Sequence, residues 1–494
     1  MISDLDFVSP ESCGIPSENI LKFIEILEYN KINIHSFMMA RGGKIFAEAY
    51  VKPFDEHFLH RLYSSSKTVV ALAVGKLITE GKLHYDDRLA DIFRDFIEIE
   101  LDEYQKEATV LDALTMTLPY MPGSKDTKEL RDTWTADCFN RTRGIRPSGA
   151  FFTYGDGANL LAVAVELITG KSFVEYLRPE FDKIGVSRDI WCAKDPEGYA
   201  WGGSAVICNL RDFAAIGEFV MNKGAVGGEQ LISREYMERA TSMQIDNLHK
   251  PNYSPYKTEG YGYLTWITKE GFAMRGAACQ NVFCFPEKNL LFACQADTWA
   301  SGVGGDAPHN DILYQAFKFL VYDCAGEALP EGESTKILAE RLKCINPPSF
   351  GAAHSDFERE INGVTYILDE NPMGWKYFKL DFSGDEGTLT YENARGVKKI
   401  SFGCGYRMRG SFPETHYYDK QKGVPAGRGL DTLSVAEWRL DNVLLLRVNL
   451  IDTGFGSIFF HFTFVGDRVA LNADRMAEFA LNDYHGLCGG ARLT

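Results

Sequence analysis

Hydrophobic residues recur at helical spacing in several segments of the first 325 residues. The clearest are TVVALAVGKLITEGKL, where Gly81 is placed to end the helix, and NLLAVAVELITG, which ends at Gly170. The segments LRDFAAIGEFVMNKG and ILYQAFKFLVYDC have the same spacing. We therefore predict four helices, and we expect the stretch from about Asp86 to Asp195 to be mainly helical.

Strand-like segments lie on both sides of these helices. SFMMARGGKIFAEAYV predicts a hairpin that turns at Gly42–Gly43. Later in the chain, YGYLTWIT, AMRGAACQNVFCF and NLLFACQAD follow one another as three strand-like runs. Their connections are short, so the simplest arrangement makes them antiparallel neighbours.

The pattern changes near residue 326. The polar segment AGEALPEGES carries Gly and Pro and predicts a domain boundary, followed by a short helix over ILAERLK. Beyond Pro347, alternating segments such as WKYFKLDF, LLLRVNLI and SIFFHFTFV predict an antiparallel sandwich or barrel. We assign residues 1–325 to a first domain, 326–339 to a linker and 340–494 to an all-β domain.

Composition and charge narrow the range of partners. The chain has 494 residues with 68 acidic and 52 basic groups, and its formal charge of -16 would repel a phosphate backbone. No apolar run reaches the roughly 18 residues of a membrane helix, and the N-terminus lacks the features of a secretory signal. The 11 cysteines are scattered without a C-x-x-C pair, which favours reduced thiols. We expect a cytoplasmic protein that binds neither nucleic acid nor membrane.

The sharpest chemical feature is the sequence SSSK at residues 64–67, which opens the first strong helix. Side chains at i and i+3 share a helix face, so the Lys67 amine can approach the Ser64 hydroxyl. A serine hydroxyl needs a base, which a neutral lysine can supply, and a helix N-terminus favours developing negative charge. The same residues also fit a helix cap beside a solvated lysine. A second match, SPYK at 254–257, is predicted to be a loop.

Signatures of other enzyme classes are missing from the sequence. It contains no G-x-S-x-G, H-E-x-x-H, Walker A or G-x-G-x-x-G motif, and its 10 histidines lack metal-ligand spacing. We therefore expect neither a metal nor a cofactor.

The run RLYSSSKTVVALAVGKLITEGKLHYDDRL resembles the first motif of the serine β-lactamase-related family. This family includes class C β-lactamases, penicillin-binding proteins, D-aminopeptidases and related esterases. Three more segments match in the family's order: FFTYGDGANLLAVAVELITGKSF, AWGGSAVICNLRDFAAIGEFVMNKG and AMRGAACQNVFCFPEKNLLFACQAD. The resemblance covers roughly residues 8–325. It implies an α+β domain in which helices flank an antiparallel sheet and a helical insertion follows the Ser64 helix.

The resemblance also implies a role for each matching residue. Ser64 would be the acylated nucleophile, Lys67 its base or proton relay, and Tyr154 a second proton-transfer group. Backbone N–H groups of Ser64 and of the third-motif strand near Gln280 would form the oxyanion hole. The substrate would be a small ester, an amide or a short peptide.

The second motif departs from the family pattern. It reads Tyr154-Gly155-Asp156 where the lactamase branch has Tyr-x-Asn. A carboxylate near Lys67 would favour the ammonium form and weaken the lysine as a base. Alternatively, Asp156 could orient Lys67 while Tyr154 accepts the proton. The sequence leaves both alternatives open.

The third motif departs further. The family has Lys-Thr-Gly or His-x-Gly, whereas alignment through Gln280 gives Ala277-Ala278-Cys279. Arg275 would share the face of Ala277 by strand alternation, so it could replace the missing charge or could be solvated. Cys279 is predicted to be a buried structural thiol.

Three hypotheses of function follow. The leading one is a metal-independent serine hydrolase that forms an acyl-enzyme on Ser64. The second is a catalytically weakened binding module that resembles a penicillin-binding protein. The third, a true β-lactamase, is disfavoured by Ala277 and by the missing export signal. The all-β domain could cap the cleft or mediate formation of a homodimer.

Overall fold

The computed structural model describes residues 6–119, 133–247, 259–301, 306–414, 430–452, 454–477 and 481–493. The chain divides into two compact units. The first unit comprises Met1–Asn30, Ile34–Ala296 and Gly304–Asn346, and the second comprises Lys31–Asn33, Asp297–Val303 and Pro347–Thr494.

The α-helices of the described residues are concentrated in the first unit, and only the last of them belongs to the second. They are α1 (Ser17–Tyr29), α2 (Ser66–Thr79), α3 (Leu89–Ile92), α4 (Glu103–Glu107), α5 (Val110–Leu114), α6 (Trp134–Asn140), α7 (Gly157–Thr169), α8 (Phe173–Tyr176), α9 (Arg178–Lys183), α10 (Leu210–Met221), α11 (Arg234–Ala240), α12 (Asp306–Phe317), α13 (Glu333–Arg341) and α14 (Glu358–Ile361).

The strands divide more evenly, with twelve in the first unit and ten in the second among the described residues. They are β1 (Ile34–Arg41), β2 (Lys44–Tyr50), β3 (His60–Arg61), β4 (Trp191–Cys192), β5 (Val206–Cys208), β6 (Ala225–Val226), β7 (Glu229–Gln230), β8 (Gly260–Tyr261), β9 (Trp266–Thr268), β10 (Gly271–Gly276), β11 (Gln280–Phe285), β12 (Leu290–Ala296), β13 (Thr365–Leu368), β14 (Tyr377–Ser383), β15 (Glu386–Asn393), β16 (Gly396–Cys404), β17 (Met408–Ser411), β18 (Asp431–Leu440), β19 (Val443–Ile451), β20 (Phe455–Val465), β21 (Arg468–Ala477) and β22 (Gly486–Arg492).

A seven-stranded antiparallel sheet organises the first unit, in the order β2-β1-β12-β11-β10-β9-β8. The predicted hairpin joins β1 to β2. Its two glycines have φ angles of 59° and 81°, which residues with a side chain rarely adopt. Helix α10 packs on β11 and β12, where a Cβ on Gly217 would lie 2.5 Å from Val282. The α+β class and the helix-flanked sheet predicted for this domain are confirmed.

Helix α2 runs through the interior of the first unit. Every residue from Ser66 to Leu77 is buried, and the helix packs on α7, α8 and α11. Gly202 allows a close approach here, since a Cβ would lie 2.4 Å from the Ala162 Cβ and 2.6 Å from a Val70 methyl. The predicted helix ends are also present, with Gly170 in the left-handed region after α7.

The third-motif segment differs from the single strand that its sequence predicts. AMRGAACQNVFCF forms two antiparallel strands, β10 and β11, joined by a turn at Ala277–Cys279. Arg275 and Ala277 therefore do not alternate along one strand, and the shared face expected for them is wrong.

The second unit is a β-barrel. Its ten strands run in the order β16-β15-β14-β13-β22-β21-β20-β19-β18-β17, and parallel pairing of β16 with β18 closes the sheet. The interior is filled by side chains such as Trp375, which stacks on Tyr391 and contacts the Phe460 ring. Of the sandwich and barrel expected from the sequence, the structure has the barrel.

The two units meet along the chain at Asn346 and Pro347, and α13 belongs to the first unit, where Arg341 pairs with Glu28. The stretch 326–339, predicted as a linker, therefore includes part of a packed helix. Among the described helices, none combines the length and apolar character needed to cross a bilayer. The second S-x-x-K match, at 254–257, lies outside the described residues.

Candidate active site

The predicted serine–lysine pair is formed at the start of α2. A single 3-10 turn, Tyr63–Ser65, leads into the helix, and this places Lys67 one turn after Ser64. The Lys67 Nζ donates to Ser64 Oγ at 2.9 Å and to the Gly203 carbonyl at 2.6 Å. Lys67 is only 6% exposed, so its amine is held among protein groups rather than in solvent. The solvated lysine of the alternative interpretation is absent.

The three consecutive serines have different environments. Ser65 is fully buried, and its Oγ donates to the Gln280 carbonyl at 2.8 Å. Ser66 is also fully buried, and its Oγ accepts from the Val206 N–H at 3.0 Å. Ser64 is partly exposed and is the one of the three that contacts Lys67. The structure thus separates one accessible hydroxyl from two that link α2 to neighbouring strands.

An arginine that the sequence analysis did not consider fixes the segment that holds Lys67. Arg61 donates from Nε to the Ser204 carbonyl at 2.9 Å and from Nη2 to Ser204 Oγ at 2.8 Å. Its guanidinium lies 4.5 Å from the Tyr63 ring and 4.6 Å from the Trp201 ring. These contacts hold Ser204, the residue next to Gly203, in place. The sequence signal in this segment is the glycine pair Gly202–Gly203. The contacts of Arg61 with the segment join residues far apart in the chain, so local sequence does not predict them.

Aromatic rings form a column beside the lysine. The Lys67 Nζ lies 4.8 Å from the centre of the Tyr154 ring, and this ring stacks on Trp266 at 5.4 Å. The Arg275 guanidinium lies 5.7 Å from the Trp266 ring. The predicted residues Tyr154 and Arg275 are thus brought to one column, with Lys67 at one end and Arg275 at the other.

Asp156 occupies the position before the first residue of α7. Its main-chain carbonyl accepts from Asn159 N–H at 2.9 Å and Leu160 N–H at 3.0 Å. Within the described part of the chain, the hydrogen-bond partners of Lys67 Nζ are Ser64 and Gly203, and Asp156 is not one of them.

The turn between β10 and β11 lies against the residues that precede Ser64. A Cβ on Gly276 would lie 2.1 Å from the Leu62 carbonyl oxygen, so only glycine fits at this position. Ala278 and Cys279 have φ angles of 58° and 65°, and Tyr63 has 47°. Non-glycine residues in the left-handed region cost about 1–3 kcal/mol each and tend to cluster at functional sites.

This close approach changes the register of the third motif. The family pattern ends in glycine, and the position that must be glycine here is Gly276. The motif then reads Met274-Arg275-Gly276 rather than Ala277-Ala278-Cys279. The positions of the missing Lys-Thr pair are taken by Met274, which is buried, and Arg275, which is partly exposed.

Gln280, predicted to lie beside the oxyanion hole, and Cys279, predicted to be a buried structural thiol, are both fully buried. The Gln280 Nε2 donates to the carbonyls of Ala278, Ala277 and Ala296, at 3.1 Å for Ala278. The Cys279 carbonyl accepts from the Cys294 thiol at 3.4 Å. Both side chains belong to the support of the turn, and neither is exposed to a ligand.

A buried pair of imidazoles lies in the strand that leads to the site. His60, in β3, is within 2.9 Å of His35 through their ring nitrogens. Burial lowers the pKa of His60 to about 3, so this imidazole is neutral at physiological pH.

No group of three or more His, Cys, Asp or Glu residues in the described ranges is arranged to hold a metal ion.

Comparisons with known proteins find similar sequences and folds. The family model described as Beta-lactamase matches residues 32–306. A 6-aminohexanoate-dimer hydrolase of Paenarthrobacter ureafaciens is 26% identical over 219 residues, which is 41% of this chain and 56% of the relative. The chain thus spans little more than half the length of that curated relative.

Solved structures are also similar. A candidate beta-lactamase from Bacteroides dorei DSM 17855 has a TM-score of 0.50 at 14% identity, covering 62% of this chain and 99% of that one. An octameric penicillin-binding protein homologue from Pyrococcus abyssi has a TM-score of 0.46 at 15% identity, covering 96% and 99%. At such low identity the first of these likenesses shows the fold.

Proposed function

Because the chain belongs to the beta-lactamase family, we propose that it is a serine hydrolase of small esters or amides with Ser64 as its nucleophile. The observation that carries the proposal is the 2.9 Å contact between the buried Lys67 amine and the partly exposed Ser64 hydroxyl. Ser65 and Ser66 are buried and hydrogen-bonded elsewhere, so neither competes for this role.

The reaction begins with proton transfer. With the lysine amine neutral, the Ser64 O–H donates to Nζ, while an Nζ–H continues to donate to the Gly203 carbonyl. The proton passes to Lys67 as Oγ forms a bond to the substrate carbonyl carbon. The bond from the carbonyl carbon to the alcohol or amine then breaks, and this leaving group takes the proton from Lys67, or through Tyr154 beside it. Water releases the acyl group from Ser64 in the second half of the cycle.

Negative charge on the carbonyl oxygen requires donors during both steps. Backbone N–H groups at the start of a helix have no acceptor within the helix, which makes the Ser64 N–H suitable. The turn Ala277–Cys279 lies against the same segment, since Gly276 packs on the Leu62 carbonyl and Ser65 bonds to Gln280. We assign the second donor to a peptide N–H of this turn.

The relatives and the column of rings support a proposal for the substrate class. The curated relative is named for hydrolysis of an amide dimer. Tyr154 and Trp266 form an apolar wall beside Lys67, and Arg275 places a positive charge beyond them. An acyl or amino-acyl chain would lie along this wall. We propose a small ester or a short amide of this kind.

The test is hydrolysis of p-nitrophenyl acetate, p-nitrophenyl butyrate and the linear 6-aminohexanoate dimer by the wild type and by Ser64→Ala. We expect the wild type to hydrolyse at least one of them, and Ser64→Ala to lose at least about a thousandfold in kcat. Ser65→Ala is the matched control, because it removes an adjacent hydroxyl that does not contact Lys67.

Fluorophosphonate labelling distinguishes the hydrolase from the binding module. A reactive hydroxyl at residue 64 predicts one adduct on the wild type and none on Ser64→Ala. A folded wild-type protein that neither hydrolyses any of the three substrates nor reacts with the fluorophosphonate would contradict the proposed function and favour binding alone.

A further inference from the structure

The turn Ala277–Cys279 contains neither glycine nor asparagine, the residues that most readily adopt the left-handed backbone conformation. Ala278 and Cys279 are consecutive non-glycine residues in the left-handed region, with φ angles of 58° and 65°. A local sequence preference therefore does not explain the turn. Contacts from elsewhere in the structure must hold it in place.

The Gln280 side chain supplies those contacts. It is completely buried, and its amide nitrogen donates to the carbonyls of Ala278 and Ala277, the first at 3.1 Å. The same amide group is bonded to Ala296 in the neighbouring strand β12, through the carbonyl and the N–H of that residue. A single carboxamide thus ties the turn to the centre of the sheet.

These bonds set the direction of the peptide groups. In a trans peptide the C=O and the following N–H point in opposite directions. When the carbonyls of Ala277 and Ala278 face the Gln280 amide, the N–H groups of the next residues face away from it. The Cys279 carbonyl is also engaged, by the Cys294 thiol. The Ala278 N–H therefore lies on the side of the turn opposite the Gln280 amide.

The main chain of Gln280 connects the turn to the nucleophile. Its carbonyl accepts from Ser65 Oγ at 2.8 Å, one residue after Ser64, and Gly276 packs against Leu62 on the other side. A displacement of the turn would change the distance between its N–H groups and an oxygen bound at Ser64.

We propose that Gln280 is a positioning residue, whose buried carboxamide holds the turn so that one of its peptide N–H groups donates to the oxyanion formed at Ser64. This inference rests on the proposed serine-hydrolase function and deepens it. Gln280 does not touch substrate, and it acts through the turn that its side chain ties to β12.

The test replaces Gln280 and a matched glutamine. Gln280→Met keeps the side-chain length and removes the bonds to the turn. Gln295→Met is the control, since Gln295 is 1% exposed on the adjacent strand and bonds to the Cys208 carbonyl at 3.0 Å, away from the turn. Both variants are compared with the wild type in thermal unfolding and in pre-steady-state acylation by a p-nitrophenyl ester.

We expect Gln280→Met to lower the acylation rate at least about tenfold with little change in KM, because the lost interaction forms only as charge develops. Gln295→Met should lose similar stability and retain the acylation rate. A folded Gln280→Met that acylates within about threefold of the wild type would overturn the inference. So would an equal loss of rate in both variants. Wild-type activity in the same assay shows that the proposed function stands in either case.

A second variant keeps the inference testable if Gln280→Met does not fold. Gln280→Glu has the same shape, and its carboxylate cannot donate to the turn carbonyls. Protonation restores one donor, and burial raises the pKa of a carboxyl at such a site. The ratio of its acylation rate to that of the wild type should therefore rise as pH falls from 8 to about 5. A ratio independent of pH would contradict the role of the donor.

Discussion

The two halves of the site are built in opposite ways. The start of α2 brings Ser64 and Lys67 together within four consecutive residues, and one turn of helix sets their distance. The turn at Ala277–Cys279 is joined to it by a hydrogen bond between residues 215 positions apart, Ser65 and Gln280. In the proposed function, the first half supplies side chains for proton transfer and the second supplies a peptide N–H group. Their separation means that each half can be disturbed without the other.

The largest effect is expected from Lys67→Met, which breaks the first half. Methionine fills the same buried space but cannot take the Ser64 proton, so kcat should fall at least about a hundredfold. The control is Lys76→Met, since Lys76 lies on the same helix at 7% exposure and pairs with Glu180 at 2.6 Å. Loss of that buried pair should cost about 3–5 kcal/mol of stability and leave kcat of the folded enzyme unchanged. Equal kcat values for Lys67→Met and Lys76→Met would contradict the assignment of proton transfer to Lys67.

The next effect should come from Gly276→Ala, which displaces the second half. The added methyl would lie 2.1 Å from the Leu62 carbonyl, and a shift of about 1 Å in the turn can cost about a hundredfold in rate. Gly271→Ala is the control at the other end of β10, where the methyl would lie 2.1 Å from the Cys284 carbonyl. Both should lower the unfolding temperature, whereas only Gly276→Ala should lower kcat. A Gly276→Ala variant with wild-type kcat would show that the position of the turn does not matter.

A smaller effect is expected from Ser65→Ala, which cuts the bond between the halves. Loss of the hydrogen bond to the Gln280 carbonyl should cost about 1–2 kcal/mol of stability and a few-fold in kcat. Ser66→Ala removes a hydroxyl of the same burial that accepts from Val206, and should cost stability alone. Urea unfolding together with steady-state kinetics measures both quantities. A larger loss of kcat in Ser66→Ala than in Ser65→Ala would contradict a role of the Ser65 hydrogen bond in holding the turn.

The smallest effect is a dependence of stability on pH from His60, in the strand β3 that leads to the first half. His60 has a pKa of about 3 in the folded protein, below the value of about 6.5 expected when unfolded. The unfolded chain therefore binds more protons between these values, and the free energy of unfolding falls as pH drops below about 6.5. His60→Asn should weaken this dependence between pH 7 and 5, as measured by urea unfolding. If the free energy of unfolding changes with pH as steeply in His60→Asn as in the wild type, His60 is not the source of the dependence.

Local signals explain what could be predicted from the sequence. Helical spacing and a terminal glycine were enough to place α2 and α7, and the Gly42–Gly43 pair placed the first hairpin. The proximity of Ser64 and Lys67 needed only the i, i+3 geometry of a helix. The family resemblance is confirmed by the match over residues 32–306.

Long-range contacts explain what could not be predicted. The sequence Ala277-Ala278-Cys279 contains no Gly, Asn or Pro, so nothing local marks it as a turn. Gln280 ties it to Ala296 in β12, and Gly276 packs against the Leu62 carbonyl. The role of Arg61, which holds Ser204 beside Gly203, depends in the same way on residues far apart in the chain.

We propose that Ser64, rather than either neighbouring serine, carries the acyl group. The most direct measurement is mass spectrometry of wild-type protein quenched during hydrolysis of a p-nitrophenyl ester, with fragmentation of the peptide that contains residues 64–67. We expect one acyl group per chain, located on Ser64 and absent from Ser64→Ala. An acyl group on Ser65, on Ser66 or outside this peptide, in an enzyme that turns over, would contradict it.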